Sequence, residues 1–242
     1  ALFFWHHKML LATGDARYAD EMDRALYNNI LAGYGLDGTS YFYQNPLAHH
    51  PDKKGSRGRR FEWHHCPCCP PNVHRLLAAI DQYIYTCDTS EVQVNLYADS
   101  TLEPKLPSGG TLVLTQESAY PYEGKVILNL DAPKDAKGSI RLRIPQWCDA
   151  PEIESDGNEV TTEVAKGYAV LEQPWRMGKK VVLNLPMRPI VIKGNPKVRD
   201  QVGRIAIQRG PFIYCLEQAD NPGVECSEIT FPENPEITST LE

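Results

Sequence analysis

The sequence predicts a mixed chain, helices first and antiparallel β-sandwich second, and three observations carry that reading. Apolar residues recur at helical spacing in three segments ahead of Cys87. After Cys87 the pattern changes to short β-like runs rich in Val, Ile, Leu and Tyr. Gly, Pro, Asp and Asn fall between most of those runs, at intervals that suit a sandwich.

From Leu2 to Leu11, the apolar residues Leu2, Phe3, Trp5, Met9 and Leu10 surround His6, His7 and Lys8, closer to a helix than to a strand, and Thr13-Gly14-Asp15 ends the segment. A second helix is expected from near Asp15, with Tyr18, Met22, Ala25, Leu26 and Leu31 at roughly helical spacing and Gly33 as its stop. The two read as a helical hairpin. Leu36-Asp37-Gly38-Thr39 is a turn signal, and Tyr41-Phe42-Tyr43 favours an extended segment. Pro70 and Pro71 suit the first turn of a third helix, because a helix start leaves its first N–H groups unpaired anyway. Val73, Leu76, Leu77, Ile80 and Ile84 then form one apolar stripe, so this helix is expected to run to about Tyr85.

The strand-like runs are Val92 to Tyr97, Thr111 to Thr115, Val126 to Leu130, Ile140 to Ile144, Tyr168 to Leu171, Val181 to Leu185, Ile190 to Ile192, Arg204 to Ile207 and Phe212 to Leu216. A break near Pro186 to Pro196 separates two sandwiches, and the tail from Asn221 reads as loop-rich. The division expected is therefore helices over 1–88, a β-sandwich over 89–190 and the start of a second, incomplete sandwich over 191–242.

With 242 residues, 42% hydrophobic and 23% charged, the chain has the composition of a folded protein of one to two domains. A net charge of -6 gives no electrostatic footprint for a phosphate backbone. The one basic cluster, Lys53, Lys54, Arg57, Arg59 and Arg60, has no aromatic residues alternating with it to stack bases and reads as a solvated loop, so no nucleic-acid partner is expected. Nowhere do 18 apolar residues run together, so no membrane span is expected. The chain opens on Ala in a helix-like pattern without a leader signature, and is read as cut from a longer frame or processed; its compartment is unreadable from that end.

The cysteines Cys66, Cys68, Cys69, Cys87, Cys148, Cys215 and Cys226 are odd in number, with three of them crowded together, which argues for reduced thiols over a disulfide framework. In Cys66-Pro67-Cys68-Cys69-Pro70-Pro71-Asn72 two adjacent thiols stand directly before a helix start, where unpaired N–H groups and the positive dipole end favour thiolate over thiol. Adjacent cysteines do not match the usual C-x2-C zinc spacing, and three thiols leave a tetrahedral zinc one ligand short, with His64, His65, His74 or a distant segment to complete it. On residue type alone, a metal or catalytic thiol, inert buried cysteines and an oxidised pair all stay open. His6, His7, His49 and His50 read as surface or hydrogen-bonded histidines. There is no Ser-His-Asp order, phosphate loop or nucleotide fingerprint, and no carboxylate pair declares itself as the acid and nucleophile of an ordinary glycosidase.

The run Cys66 to Leu77 resembles the cysteine motif of glycoside hydrolase family 127 and its relatives, the bacterial β-L-arabinofuranosidases. Met9-Leu10-Leu11-Ala12-Thr13-Gly14-Asp15, Arg24-Ala25-Leu26-Tyr27-Asn28, Phe42-Tyr43-Gln44-Asn45-Pro46-Leu47, Leu142-Arg143-Ile144-Pro145-Gln146-Trp147-Cys148 and Gln208-Arg209-Gly210-Pro211 are similar to stretches of that family in the same order, so the resemblance covers roughly residues 1 to 218. It implies that the helices are the end of an (α/α)6 catalytic barrel, and that the chain is the C-terminal part of a larger enzyme.

It also implies a Zn2+ cofactor held by a Glu and three Cys, with Cys68 as nucleophile and zinc ligand and Cys69 as a second ligand; Cys66 belongs to the motif without an assured ligand role. The remaining Glu and Cys ligands and the acid/base Glu are expected upstream of Ala1. Asp23 stands where a family Glu is expected and Tyr43 can line the sugar pocket, so both are candidate substrate-binding residues, with a packed core tyrosine as the alternative for Tyr43. The function implied is retaining hydrolysis of terminal β-L-arabinofuranosyl groups of plant-type glycans through a thioglycosyl-enzyme intermediate. The alternatives are a hydrolase of another furanosidic sugar or sugar acid, and a non-catalytic carbohydrate-binding sandwich in which Trp147 and Trp175 form a sugar platform. The expected partners are an oligosaccharide or glycan substrate, with homodimerisation left open, in a soluble protein of the bacterial cytoplasm or periplasm. A barrel represented by its last helices is further expected to leave Val73, Leu76, Leu77, Ile80 and Ile84 facing water, and the chain alone inactive and prone to aggregate.

Overall fold

The computed structural model describes residues 1–44, 59–106, 109–134, 136–173, 177–217, 220–232 and 235–239. Asn45 to Leu47, His49, His50, Lys53, Lys54, Arg57 and Trp175 lie outside the described residues.

The expected hairpin forms. Helix α1 (Leu2–Thr13) ends at Gly14, whose φ of 62° lets its N–H return to Leu10 O, a left-handed cap that a residue with a Cβ adopts only at a cost. One residue on, Asp15 caps α2 (Ala16–Ala25) by accepting from Arg17 N at 3.0 Å. The helical path continues as a π-type turn at Leu26–Ile30 and a 3-10 turn at Leu31–Gly33, so Gly33 does mark its end. Helix α3 (Cys69–Leu77) carries its prolines in the first turn.

The third helix is shorter than its apolar stripe suggests. After Leu77 the chain passes through a 3-10 turn at Ile80–Tyr83 and enters strand β3 at Tyr85. The end of the stripe belongs to the sheet: Ile84 O accepts from Asn95 N at 2.8 Å and Leu96 N at 3.3 Å, so the chain there pairs with the strand side and not with a helix. Nor does the stripe all face water. Leu76 and Ile84 are buried with Phe3, Leu10, Met22 and Tyr168, because α1 lies over them with Phe3 edge-on to Tyr83, whereas Leu77 stays 42% exposed.

The strands are β1 (Tyr41–Phe42), β2 (Arg60–Phe61), β3 (Tyr85–Cys87), β4 (Glu91–Val94), β5 (Ser100–Leu102), β6 (Val113–Ser118), β7 (Lys125–Asp131), β8 (Gly138–Arg143), β9 (Glu152–Ser155), β10 (Asn158–Glu159), β11 (Val164–Ala165), β12 (Tyr168–Gln173), β13 (Lys179–Asn184), β14 (Pro189–Lys193), β15 (Ile205–Arg209) and β16 (Phe212–Tyr214). A six-stranded sheet, β10-β9-β13-β7-β6-β5, faces a five-stranded sheet, β11-β12-β8-β4-β3, and all pairings are antiparallel except β4 with β8. Alternation places Val126, Leu128 and Leu130 of β7 and Val181 and Leu183 of β13 against Val92, Val94, Ile140, Leu142, Ala169 and Leu171 of the other sheet.

The five-stranded sheet is covered on its second face as well. Tyr168 of β12 and Leu96, just after β4, pack into the cluster made by α1, α2 and α3, so helices, sheet and sheet form successive layers. The turn between β11 and β12 meets the start of α2: Ala16 N donates to Lys166 O at 2.9 Å, and a Cβ on Gly167 would come within 2.7 Å of Ala16 Cβ. Within the break at Pro186 to Pro196, β14 pairs with β15, and β15 with β16, in a separate three-stranded sheet. The segment from Asn221 holds only a 3-10 turn at Cys226–Glu228 among its described residues.

Candidate active site

The cysteine segment runs from a small hairpin into α3. Tyr41 pairs with Phe61 and Phe42 with Arg60. Alternation along the strand sets Phe42 on the face where the Arg60 guanidinium lies 4.3 Å from its ring centre, and Tyr41 and Tyr43 together on the other face. Glu62, Trp63, His65, Cys66 and Cys68 are all exposed, but His64 is buried, with its Nε2 2.9 Å from Tyr41 O.

Cys68 is the residue at the N-cap of α3 and Cys69 opens the helix. Asn72 donates its amide to Cys68 O at 2.8 Å and accepts from Arg75 at 3.0 Å, while the Arg75 guanidinium sits 4.6 Å from the Phe4 ring centre, so the cysteine-bearing end of α3 is braced against α1. The Cys68 and Cys69 sulfurs are 3.8 Å apart, and Tyr43 stands beside the Cys66 and Cys68 thiols.

These contacts divide the two thiols. Hydrogen bonding from Cys66 first and from Cys69 second, with Tyr43 adding to it, lowers the Cys68 pKa below that of a free thiol. Cys69 moves up instead, chiefly through burial and then through its contact with Cys68. Tyr43 is raised, principally by its hydrogen bond with Cys66. The sulfur of Cys68 is thus the more exposed and the more acidic of the pair.

The donor set also suits a soft divalent metal. At the usual Zn–S length of about 2.3 Å, two thiolates on a tetrahedral zinc lie about 3.8 Å apart, the separation found between Cys68 and Cys69. Among the described residues no group of three or more His, Cys, Asp or Glu is arranged to hold a metal. His64 is turned to Tyr41 O, and the His74 ring packs beside Tyr34, 6.5 Å between centres. Cys66, Cys68, Cys69, Cys87, Cys148 and Cys215 are free thiols.

The structure places the other candidates separately. Asp23 is 2% exposed on α2, where Tyr120 donates to its Oδ2 and Arg143 Nη2 approaches to 3.3 Å as an ion pair without hydrogen-bond alignment. Burial raises the Asp23 pKa, against the opposing pull of Arg143 and Tyr120. Asp23 and Trp147 line a water-sized cavity with Asp20, Gln146 and Gln208; Trp147 packs against the sandwich core, with its Nε1 buried. Tyr43, by contrast, is 39% exposed and beside the cysteines.

Sequence reasoning missed Tyr34, Tyr41 and the anchoring of His64. Tyr34 and Tyr41 stack with ring centres 6.1 Å apart, and the charge on Cys69 contributes to the raised pKa of Tyr34, after burial and Tyr41. The period-two alternation of Tyr41 and Tyr43 was the available signal, since it sets both rings on one face. No helix among the described residues is long and apolar enough to cross a membrane.

Residues 1–82 match the model of the "Beta-L-arabinofuranosidase, GH127 catalytic domain", 91–187 that of the GH127 middle domain, and 189–241 that of the glycoside hydrolase family 127 C-terminal domain. A non-reducing end β-L-arabinofuranosidase of Bifidobacterium longum subsp. longum is 32% identical over 233 residues, 92% of this chain and 35% of the relative. The crystal structure of a GH127 β-L-arabinofuranosidase from Geobacillus stearothermophilus T6 superposes with a TM-score of 0.86 at 38% identity, covering 91% of this chain and 36% of that one. A second solved GH127 β-arabinofuranosidase gives 0.82 at 32% identity, over 90% and 36% of the two chains. The chain spans about a third of the length of these relatives. Three domain models of one family, matched in order along the sequence, and structural likeness across nine-tenths of the chain lead to one assignment: the chain belongs to glycoside hydrolase family 127.

Proposed function

We propose that this chain carries the nucleophile of a retaining glycoside hydrolase that releases terminal β-L-arabinofuranosyl groups from plant-type glycans. The observation that carries the reading is the exposed Cys68 thiol at the N-cap of α3, acidified by hydrogen bonds from Cys66 and Cys69. The likeness to named β-L-arabinofuranosidases supports the choice of sugar. In this reading α1 to α3 are the last helices of an (α/α)6 barrel, and the acid/base carboxylate comes from residues outside this chain.

Cys68 Sγ attacks the anomeric carbon as the bond to the leaving oxygen breaks, and that oxygen departs as an alcohol with a proton from the acid. Water then attacks the carbon of the thioglycosyl intermediate, gives a proton to the same group, and restores the thiolate. Two displacements retain the anomeric configuration. The helix N-terminus favours the anionic sulfur before attack and after release, and Tyr43 holds a hydroxyl at that sulfur. Cys68 and Cys69, with ligands from outside the described residues, would hold a zinc ion, which when bound keeps coordinating thiols deprotonated.

The test uses the complete protein and an electrophilic β-L-arabinofuranosyl analogue, with the labelled peptide identified by mass spectrometry. Sugar on Cys68, together with loss of turnover in Cys68→Ser, is the expected result. Label on a carboxylate with both thiols free would reduce the cluster to a structural metal site. Release assays on other furanosides and sugar acids decide the substrate.

A further inference from the structure

We propose that His64 is a positioning residue that holds Tyr43 against the cysteine cluster, a role that rests on the reading of Cys68 as nucleophile. From Glu62 to Cys68 every residue is exposed except His64, which is 6% exposed, so this one side chain anchors the stretch that delivers the thiol. Its Nε2 lies 2.9 Å from Tyr41 O, and because a carbonyl only accepts, the proton is on Nε2. The imidazole is packed among the rings of Tyr41, Phe61 and Tyr43, at 4.9, 5.5 and 5.7 Å between centres.

The hairpin needs that anchor. Among the described residues its ladder holds two pairs, Tyr41 with Phe61 and Phe42 with Arg60, with one further bridge from Tyr41 to Tyr34, and so short a ladder is marginal in water. The bond from His64 to Tyr41 O ties the tyrosine strand to the cysteine segment from the other side. Tyr43 shares a face with Tyr41, so fixing Tyr41 also fixes where Tyr43 stands. At 39% exposure Tyr43 has little packing of its own to select a rotamer, and the His64 ring supplies it. His64 acts on Cys68 through Tyr43, whose ring it packs against and which stands beside that thiol.

A double-mutant cycle in the complete protein tests this, using a chromogenic β-L-arabinofuranoside, with zinc content and Tm recorded for every variant. His64→Phe keeps an aromatic ring and removes the donor; His64→Gln keeps a donor for Tyr41 O; Tyr43→Phe removes the hydroxyl. H64F is expected to lower kcat by about 10- to 100-fold, the scale of loss when a site group is misplaced by an ångström, with KM within about threefold. H64Q should recover most of kcat, and H64F should have little further effect in the Y43F background, since coupled residues are not additive. Losses that multiply, or H64F at full kcat, overturn the proposal. If H64F does not fold, H64Q decides: near-normal kcat, or a loss that adding Y43F does not deepen, supports the role, and a loss that multiplies with that of Y43F overturns it. An unmutated enzyme without this activity overturns the reading of Cys68, and the proposal with it, whereas an active parent with additive variants overturns the role of His64 alone.

Discussion

Arg143, at the end of β8, reaches Asp20 on α2 with Nη1 2.6 Å from Oδ1, both residues buried. The same guanidinium donates Nε to Asn95 O at 2.6 Å, and the Arg143 carbonyl accepts from the Tyr97 hydroxyl. One side chain therefore joins the helical layer, the loop after β4 and the sheet. A buried pair adds little over apolar packing of the same shape, but removing one partner leaves a charge in the interior. Two carboxylates, Asp20 and Asp23, depend on this one cation.

Arg143→Met should therefore destabilise the protein by about 3–5 kcal/mol, read as a fall in the denaturant midpoint. Arg143→Lys should not restore it, because a single ammonium lacks the fork that serves Asp20, Asp23 and Asn95 together. A variant within about 0.5 kcal/mol of the parent, the range of ordinary surface changes, would show that the helices and sheet are held together without the Arg143 network.

Asp23 gives a pH test with a defined sign. Burial raises its folded pKa above the ordinary 3.8, so its contribution to stability is fully present below about that value and is lost as pH rises through the raised one. Asp23→Asn, which keeps an oxygen for the Tyr120 hydroxyl, should gain on the parent as pH rises from 4 towards neutrality. Urea titrations at a series of pH values measure it. A parent that gains on the variant over that range would show that Arg143 outweighs burial.

The helical hairpin and the main strands were legible because their signals are local: Gly14 and Asp15 between two apolar patterns, and alternation in runs such as Val126 to Leu130. The length of α3 was not, since Ile84 follows a helical stripe in sequence while its carbonyl is captured by Asn95 and Leu96. Strands β9 to β11 were missed because Glu152–Ser155, Asn158–Glu159 and Val164–Ala165 are short and largely polar; β9 holds its place through the distant β13, and β10 and β11 are two-residue additions to the neighbouring β9 and β12. Asp20 and Arg143 stand 123 positions apart in sequence, and only the fold brings them together. The cysteine run stood out in the sequence, but the dependence of Tyr43 on His64 appears only once the hairpin is folded.

The cysteine pair should react unequally. Cys68 is lowered by hydrogen bonding from Cys66 and Cys69, while Cys69 is raised by burial, so alkylation should reach Cys68 at lower pH. Iodoacetamide labelling of metal-free protein across a pH series, with peptide mapping, measures the order. Equal labelling at every pH, or Cys69 first, would remove the distinction on which Cys68 was preferred.

Asn28 supplies the last test, because it serves the free edge of β16 as a neighbouring strand would. Ile213 N donates to its Oδ1 at 2.7 Å, and its amide donates to Pro211 O at 2.8 Å and to Arg24 O at 2.9 Å. Among the described residues β16 pairs with β15 alone, and this amide, together with Tyr27 edge-on to Phe212, joins that edge to the helical layer. Asn28→Ala leaves the Ile213 N–H and the Pro211 carbonyl unpaired, at about 1–3 kcal/mol for each group that stays buried. The loss should be local. Hydrogen exchange at the Ile213 amide should accelerate by at least tenfold, as about 1.4 kcal/mol implies, while amides in β7 and β13 keep their protection. Asn28→Asp should fall between the two, since it retains the acceptor for Ile213 but sets an anion against the Pro211 carbonyl. Unchanged exchange at Ile213 in the alanine variant would mean that the three-stranded sheet holds its position without Asn28.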